Sequence, residues 1–245
     1  MRRLLLDLGN TRLKWRLMEG GEACSEGALA HAETGFADAL AALARPLRGE
    51  NVRVWLASVA PTALAARVEA VLSGLLDAAP VRVRVDAAHP ALRLAYRDPA
   101  QLGVDRWLAM LGARAAASGP VVVALAGTAL TLDAVDGAGR HLGGLIAPGL
   151  GLQRASLTAG PLFLAEGRLE PMPFADSTAA AVASGPPLAL AALIERFVRS
   201  AADRCGERPR LLLSGGDAGR LVPLLPLPAE QRPGLVLDGL ARLAD

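Results

Sequence analysis

The stretch LLLDLGNTRLKW, residues 4–15, sets one acid, Asp7, in an apolar strand that breaks into Gly9-Asn10-Thr11 ahead of Lys14. A carboxylate there must meet water, a cation or a donor, because burying it uncompensated is costly. A tight turn of small residues lets backbone N–H groups converge on an anion, and the Thr hydroxyl adds a donor. Lys14 adds a mobile positive charge. Asp7, at the strand end, can take hydrated Mg²⁺. A second such turn, Gly127-Thr128, follows the apolar strand VVVALA, and two turns of this kind facing each other would hold a polyphosphate from both sides. The plain alternative for Gly9-Asn10-Thr11 is a hairpin with no ligand. LSGG, ending in Gly215-Gly216 after another apolar run, suits close approach of a flat base or ribose to backbone.

LGVDRW, residues 102–107, is the other candidate. Asp105 and Arg106 sit in an otherwise apolar helical stretch, about 100° apart around the axis, so they do not simply pair with each other. Asp105 fits a general base that takes a proton from a hydroxyl nucleophile, and Arg106 fits an anion binder. The competing reading is a surface salt bridge. Phosphoryl transfer needs little beyond aligned partners and neutralised charge. His31, His89 and His141 share no spacing and are read as no one's ligands. The Met and Trp residues are read as packing, with Trp107 a candidate pocket wall.

The elements that must position these residues alternate between strand and helix patterns. Residues 3–8 and 12–18 read as strands joined by the Gly-Asn-Thr turn. Residues 51–61 and 81–86 read as strands, and 62–78 and 98–118 as helices. Then come strands at 121–126, 130–135 and 140–146, and a helix at 150–158. A Pro-rich connection covers 160–176, and a long helix covers 178–204, broken near Gly185-Pro186-Pro187. Residues 209–221 read as strand, Gly-Gly turn and helix start, and GLVLDGLARLA as a short strand and a terminal helix. Placing Gly9 on Gly127 aligns LLLDLGNTRLKW with VVALAGTALTLD, and each half continues toward a third strand, at Gly27-Ala28-Leu29 and Gly144-Leu145-Ile146. This is an α/β chain with an internal duplication, divided at 1–117 and 118–245, with a ligand expected in a central cleft.

Bulk properties narrow the class. The 245 residues suffice for a real core. Twenty-six basic and 24 acidic residues, net +2, are too balanced for a nucleic-acid binder. Cys24 and Cys205 are the only cysteines and form no C-x-x-C, which argues against a metal cluster or a disulfide framework. Asp7 interrupts the opening apolar run, so no signal peptide is expected. No apolar run reaches the ~18 residues of a membrane span, and a cytoplasmic location is expected. Lys14 is the only lysine, against 25 arginines, Tyr96 is the only tyrosine, and Asn10 is one of two asparagines. A GC-rich genome would leave such scarcity, yet two of these rare residues fall just after Asp7.

Taken in order, Asp7-x-Gly9-Asn10-Thr11-x-x-Lys14-Trp15, Gly103-x-Asp105-Arg106, Gly127-Thr128-Ala129-x-Thr131-x-Asp133 and Gly143-Gly144-x-Ile146-x-Pro148-Gly149 resemble the type III pantothenate kinases. Thr178-Ala179 and Gly215-Gly216 extend the likeness, which is weakest over 20–90. The resemblance implies two duplicated ribonuclease-H-like halves of the acetate and sugar kinase, heat-shock ATPase and actin superfamily. It implies ATP-dependent phosphorylation of pantothenate to 4′-phosphopantothenate, the first step of coenzyme A synthesis. It further implies a homodimer using Mg²⁺ and a monovalent cation, K⁺ or NH₄⁺. By the same resemblance Asp7, Leu8, Gly9, Asn10, Thr11, Arg12, Leu13 and Lys14 bind ATP phosphates, and Gly127, Thr128, Gly215 and Gly216 complete the nucleotide site. Asp105 is the proton acceptor. Tyr96, Gly103, Val104, Asp105 and Arg106 hold pantothenate with Thr178, the last from across the dimer. One position departs: where the family usually has an Asp associated with the monovalent cation, this chain has Leu125, which also aligns with Asp7 in the internal repeat. That puts the monovalent-cation site in doubt. The alternatives are a catalytically impaired nucleotide-binding relative acting as a regulatory or accessory factor, and a sugar or acetate kinase. The short chain and the presence of Lys14, Tyr96, Asp105 and Arg106 favour the pantothenate kinase.

Overall fold

The computed structural model describes residues 1–76, 78–158 and 170–244. The chain forms two compact units: Met1–Ala87 with Tyr96–Gly112 and Leu235–Asp245, and Ala88–Ala95 with Ala113–Gly234. These differ from the expected division at 117/118 in three places, since the segments 88–95 and 113–117 join the second unit and the terminal helix joins the first.

The first unit is built on a five-stranded sheet. Its elements are β1 (Arg2–Leu8), β2 (Arg12–Glu19), β3 (Glu22–Ala30), α1 (Phe36–Ala44), β4 (Val52–Ser58), α2 (Thr62–Leu75) and β5 (Val81–Arg82). The helix α3 (Val104–Ala116) begins in this unit. The order is β3-β2-β1-β4-β5, with β1–β3 an antiparallel meander and β4 parallel to β1. Leu4, Leu6 and Leu8 on β1 pack with Val54, Leu56, Val68 and Leu72 in one core.

The second unit repeats this plan. It holds β6 (Val121–Ala126), β7 (Ala129–Val135), β8 (His141–Pro148), α4 (Leu150–Thr158), α5 (Thr178–Cys205), β9 (Arg210–Ser214), α6 (Ala218–Leu221) and β10 (Glu230–Gln231). Its sheet runs β8-β7-β6-β9-β10, again an antiparallel meander followed by a strand parallel to the first. The duplication expected from the two glycine turns is therefore present in the strand order itself. The correspondence carries a gap, however. Leu8 faces Leu13 in the first unit, and Ala126 faces Leu130 in the second, so the second turn is one residue shorter. Past the turn, Lys14 corresponds to Thr131 and not to Leu132. A one-residue slip exchanges the two faces of a strand, and burial agrees: Leu13 and Leu130 are both core residues.

Four expected elements differ. The helix expected over 98–118 starts only at Val104, after a separate 3₁₀ turn at Pro99–Gln101, and ends at Ala116. Residues 81–86 pair only over Val81–Arg82. The long helix α5 is not broken at Gly185-Pro186-Pro187: it runs unbroken from Thr178 to Cys205, with Ser177 capping its start and both proline rings buried. Packing of those rings, with the ladder continuing on either side, outweighs the two missing N–H donors. By length and mean hydropathy (1.3) α5 would reach across a bilayer, yet Leu190, Ile194 and Val198 on it belong to the second core. The terminal segment is a single helix, α7 (Leu235–Ala244), with no strand before it. A short apolar run cannot by itself tell a strand from a buried helix. Here Leu235–Leu237 are buried as helix, and α7 lies so close to α3 that a Cβ on Gly239 would sit 1.9 Å from the Leu108 carbonyl oxygen. The helix α1 was not foreseen. The expected connection over 160–176 lies largely outside the described residues.

Candidate active site

In the first unit, β1 delivers Asp7 to the mouth of the β1–β2 turn. The ladder sets it directly opposite Lys14, on the same face of the sheet. Gly9 N–H donates to the Arg12 carbonyl at 3.0 Å and closes the turn. Asn10, Thr11 and Arg12 are exposed, whereas Leu8 and Leu13 are fully buried in the core. Any ligand contact from those two leucines is therefore through backbone. Asp7 is itself buried. Burial pushes its carboxyl up to about 6 from 3.8; Lys14 opposes that rise, and the Asp105 carboxylate adds to it. The turn acid and the candidate base are thus electrostatic neighbours within one unit.

Asp105 lies in the first turn of α3, which Gly103 opens by accepting the Trp107 N–H. The Asp105 carboxylate folds back to accept the Arg106 backbone N–H at 2.8 Å. A Cβ on Gly103 would fall 2.5 Å from that oxygen, so the glycine leaves the carboxylate its place. Arg106 is buried, and its guanidinium donates to the Tyr96 hydroxyl at 2.9 Å. It is no surface salt bridge, and two members of the expected substrate set ten positions apart, Tyr96 and Arg106, do meet. Val104 is mostly buried, while Gly103 and Asp105 are half-buried.

In the second unit, Gly127 N–H closes the short turn on the Ala129 carbonyl at 3.0 Å, and Thr128 is exposed. Two further segments converge here. Gly149 N–H donates to the Thr128 carbonyl at 3.0 Å, and Asp217 N–H donates to the Ala126 carbonyl at 3.1 Å. A Cβ on Gly149 or on Gly215 would lie 2.1 Å from the Gly127 or Ala126 carbonyl oxygen, so both positions demand glycine. Gly216 has open space before it, as approach of a flat ligand requires. Sequence reading singled out Gly215-Gly216 but gave Gly149 no role; the signal was its place after Pro148 at a strand end. Thr178 is the first residue of α5 in this unit. Leu125 stands opposite Thr131, whose Oγ1 is buried without a hydrogen-bond partner. Asp133, in the matched motif, accepts from the buried His141 ring at 2.9 Å and serves as a structural tie between β7 and β8.

The donor set at Asp7 suits Mg²⁺. That ion keeps several waters and needs only one or two carboxylates beside substrate phosphates. Among the described residues no group of three or more His, Cys, Asp or Glu side chains forms a metal cage.

The Asp7 carboxyl has a stability consequence. Its folded pKa lies above the unfolded value, so its favourable contribution is full below about pH 4 and is lost as pH rises through about 6. Asp7→Asn is expected to unfold at higher temperature than wild type at neutral pH, by the equivalent of up to about 3 kcal/mol. The gap should close as the melts are taken down toward about pH 4. Equal melting temperatures at neutral pH would contradict the buried, ionised carboxylate.

The sequence model of the family described as Type III pantothenate kinase matches residues 3–200. A type III pantothenate kinase from Chromobacterium violaceum is 40% identical over 246 residues, covering 99% of each chain. One from Xanthomonas campestris pv. campestris is 44% identical over 241 residues, covering 98% of this chain and 96% of its own. Among solved structures, a protein from Campylobacter jejuni named as a Baf family transcriptional activator superposes with TM-score 0.60 at 20% identity, covering 98% of this chain and 96% of its own. The activator of the 2-hydroxyisocaproyl-CoA dehydratase from Clostridium difficile, solved with ADPNP, gives 0.56 at 13%, covering 100% and 94%. At these identities the structural likeness speaks to the fold alone, an α/β fold of two ribonuclease-H-like halves. The sequence matches go further: the chain belongs to the type III pantothenate kinase family, enzymes that phosphorylate pantothenate with ATP.

Proposed function

We propose that this kinase transfers phosphate by direct attack, with Asp105 as the base that takes the proton from the pantothenate hydroxyl. The observation that supports this most is that Asp105, in the first turn of α3, lies near enough to Asp7 within the first unit for its charge to help raise the Asp7 carboxyl. In this reading residues 7–14 bind the ATP phosphates through turn N–H groups and Lys14. Gly127, Thr128, Gly215 and Gly216 serve the nucleotide from the second unit. Tyr96, Gly103, Val104 and Arg106 hold pantothenate with Thr178. Asp7 would hold Mg²⁺, which when bound neutralises charge on the phosphates. The buried Arg106, bonded to the half-buried Tyr96, would give the substrate pocket a cationic wall.

A monovalent cation fits the second turn poorly. Leu125 offers no oxygen, and the ladder sets only the Thr131 hydroxyl opposite it. Activity of this chain is therefore read as nearly independent of K⁺ and NH₄⁺. We read the protein as a cytoplasmic homodimer acting on a small molecule, without nucleic acid or membrane as partner. The exposed apolar side chains of the second unit, Leu145, Ile146, Leu152 and Phe174, support the dimer.

Protein incubated with ATP, Mg²⁺ and pantothenate is expected to form 4′-phosphopantothenate, and Asp105→Asn to lower kcat about 10²–10⁴-fold. Silent wild-type protein that still binds ATP would instead favour the accessory-factor reading. Titrating K⁺ into the wild-type assay should change the rate little, while Leu125→Asp should create a response; strong activation of the wild type would show that another group serves the cation. Light scattering should return twice the chain mass of 25.2 kDa, and a monomer mass would refute the dimer.

A further inference from the structure

His31 took no role in the sequence reading, yet it touches the first phosphate turn twice. It follows directly on β3, whose last pair with β2 is Arg12 with Ala30. Its backbone N–H donates to the Thr11 carbonyl at 3.3 Å. Its ring Nε2 lies 3.2 Å from the Gly9 carbonyl oxygen. A carbonyl only accepts, so Nε2 carries the proton in this contact. The ring is in turn braced edge-on against Phe36, with centroids 6.1 Å apart and planes at 76°. Phe36 is buried in the core of the first unit. The turn is thus tied at both ends to a residue anchored in the core.

A trans peptide points its C=O and N–H in opposite directions. Holding the Gly9 carbonyl toward His31 therefore turns the Asn10 N–H the other way, out of the turn. A free three-residue turn containing glycine would let that peptide rotate, and the donor would be lost in part of the population. We propose that His31 is a positioning residue for nucleotide binding: its ring N–H fixes the Gly9 carbonyl and so aims the Asn10 amide at a phosphate oxygen. This rests on the assignment of residues 7–14 to the ATP phosphates. His31 itself touches no substrate, and its work is done through the turn.

The test is steady-state kinetics with ATP varied at saturating pantothenate, on four variants. His31→Phe keeps a ring to pack on Phe36 but lacks the donor, and His31→Ala removes both. Each is expected to raise KM for ATP about 10-fold, the worth of one well-placed hydrogen bond, with kcat and KM for pantothenate within about twofold of wild type. His31→Gln restores an N–H at a similar reach and should return KM for ATP to within about threefold. Unchanged KM for ATP in His31→Phe, or a Gln variant as impaired as the Phe variant, overturns the proposal. So does a loss confined to kcat. Lys14→Ala separates the two levels of the argument. If it raises KM for ATP while His31→Phe does not, only the positioning role fails. If it too leaves KM for ATP unchanged, the phosphate turn itself has been misassigned.

Discussion

A carboxylate held out of water at the end of a central strand is the constraint on which the first unit turns. Asp7 is buried, opposed by a single cation at Lys14 and crowded by a second carboxylate at Asp105. Nothing in ordinary packing calls for such a cluster, because Asn or Ser at position 7 would fit a strand end without the desolvation cost. Under the proposed function the arrangement would become favourable as a divalent ion and phosphate oxygens enter. The glycine turn, the start of α3 and the Arg106–Tyr96 pair are then the means of holding three charges at fixed places. Charge held in place at a desolvation cost is characteristic of sites that work by preorganised charge.

The second unit shows what the same framework becomes without that cluster. Where the first sheet sets Asp7 opposite Lys14, the second sets Leu125 opposite Thr131. Its turn is one residue shorter and is buttressed by Gly149 and Gly215, which bring backbone where side chains would otherwise stand. The duplicated halves have thus diverged in kind. One offers charged side chains, and the other offers a close-fitting backbone surface and the Thr128 hydroxyl.

Much of this was legible in the residues. The two glycine turns announced the repeat, and Asp7, Lys14, Asp105 and Arg106 stood out because charged types interrupted apolar runs. What could not be read has definite causes. The gap in the repeat lies in a turn, where no periodicity records a missing residue; only cross-strand register reveals that Lys14 matches Thr131. Pro186-Pro187 looked like a break because propensity counts lost N–H groups and not the core into which the rings pack. Leu235–Leu237 looked like a strand because a helix buried on several sides loses its period. His31 was invisible because its partners are backbone carbonyls, which every residue type supplies alike.

The seating of α7 bears on how the chain comes to life. This helix closes against α3 through Gly239, and its Asp238 accepts from Arg16 on β2 at 2.6 Å, yet all of the second unit precedes it in synthesis. During translation the first sheet therefore waits, with part of its apolar face unsheltered, until that last segment has cleared the ribosome. The half that carries the charged turn is thus begun before the second unit and completed only after it.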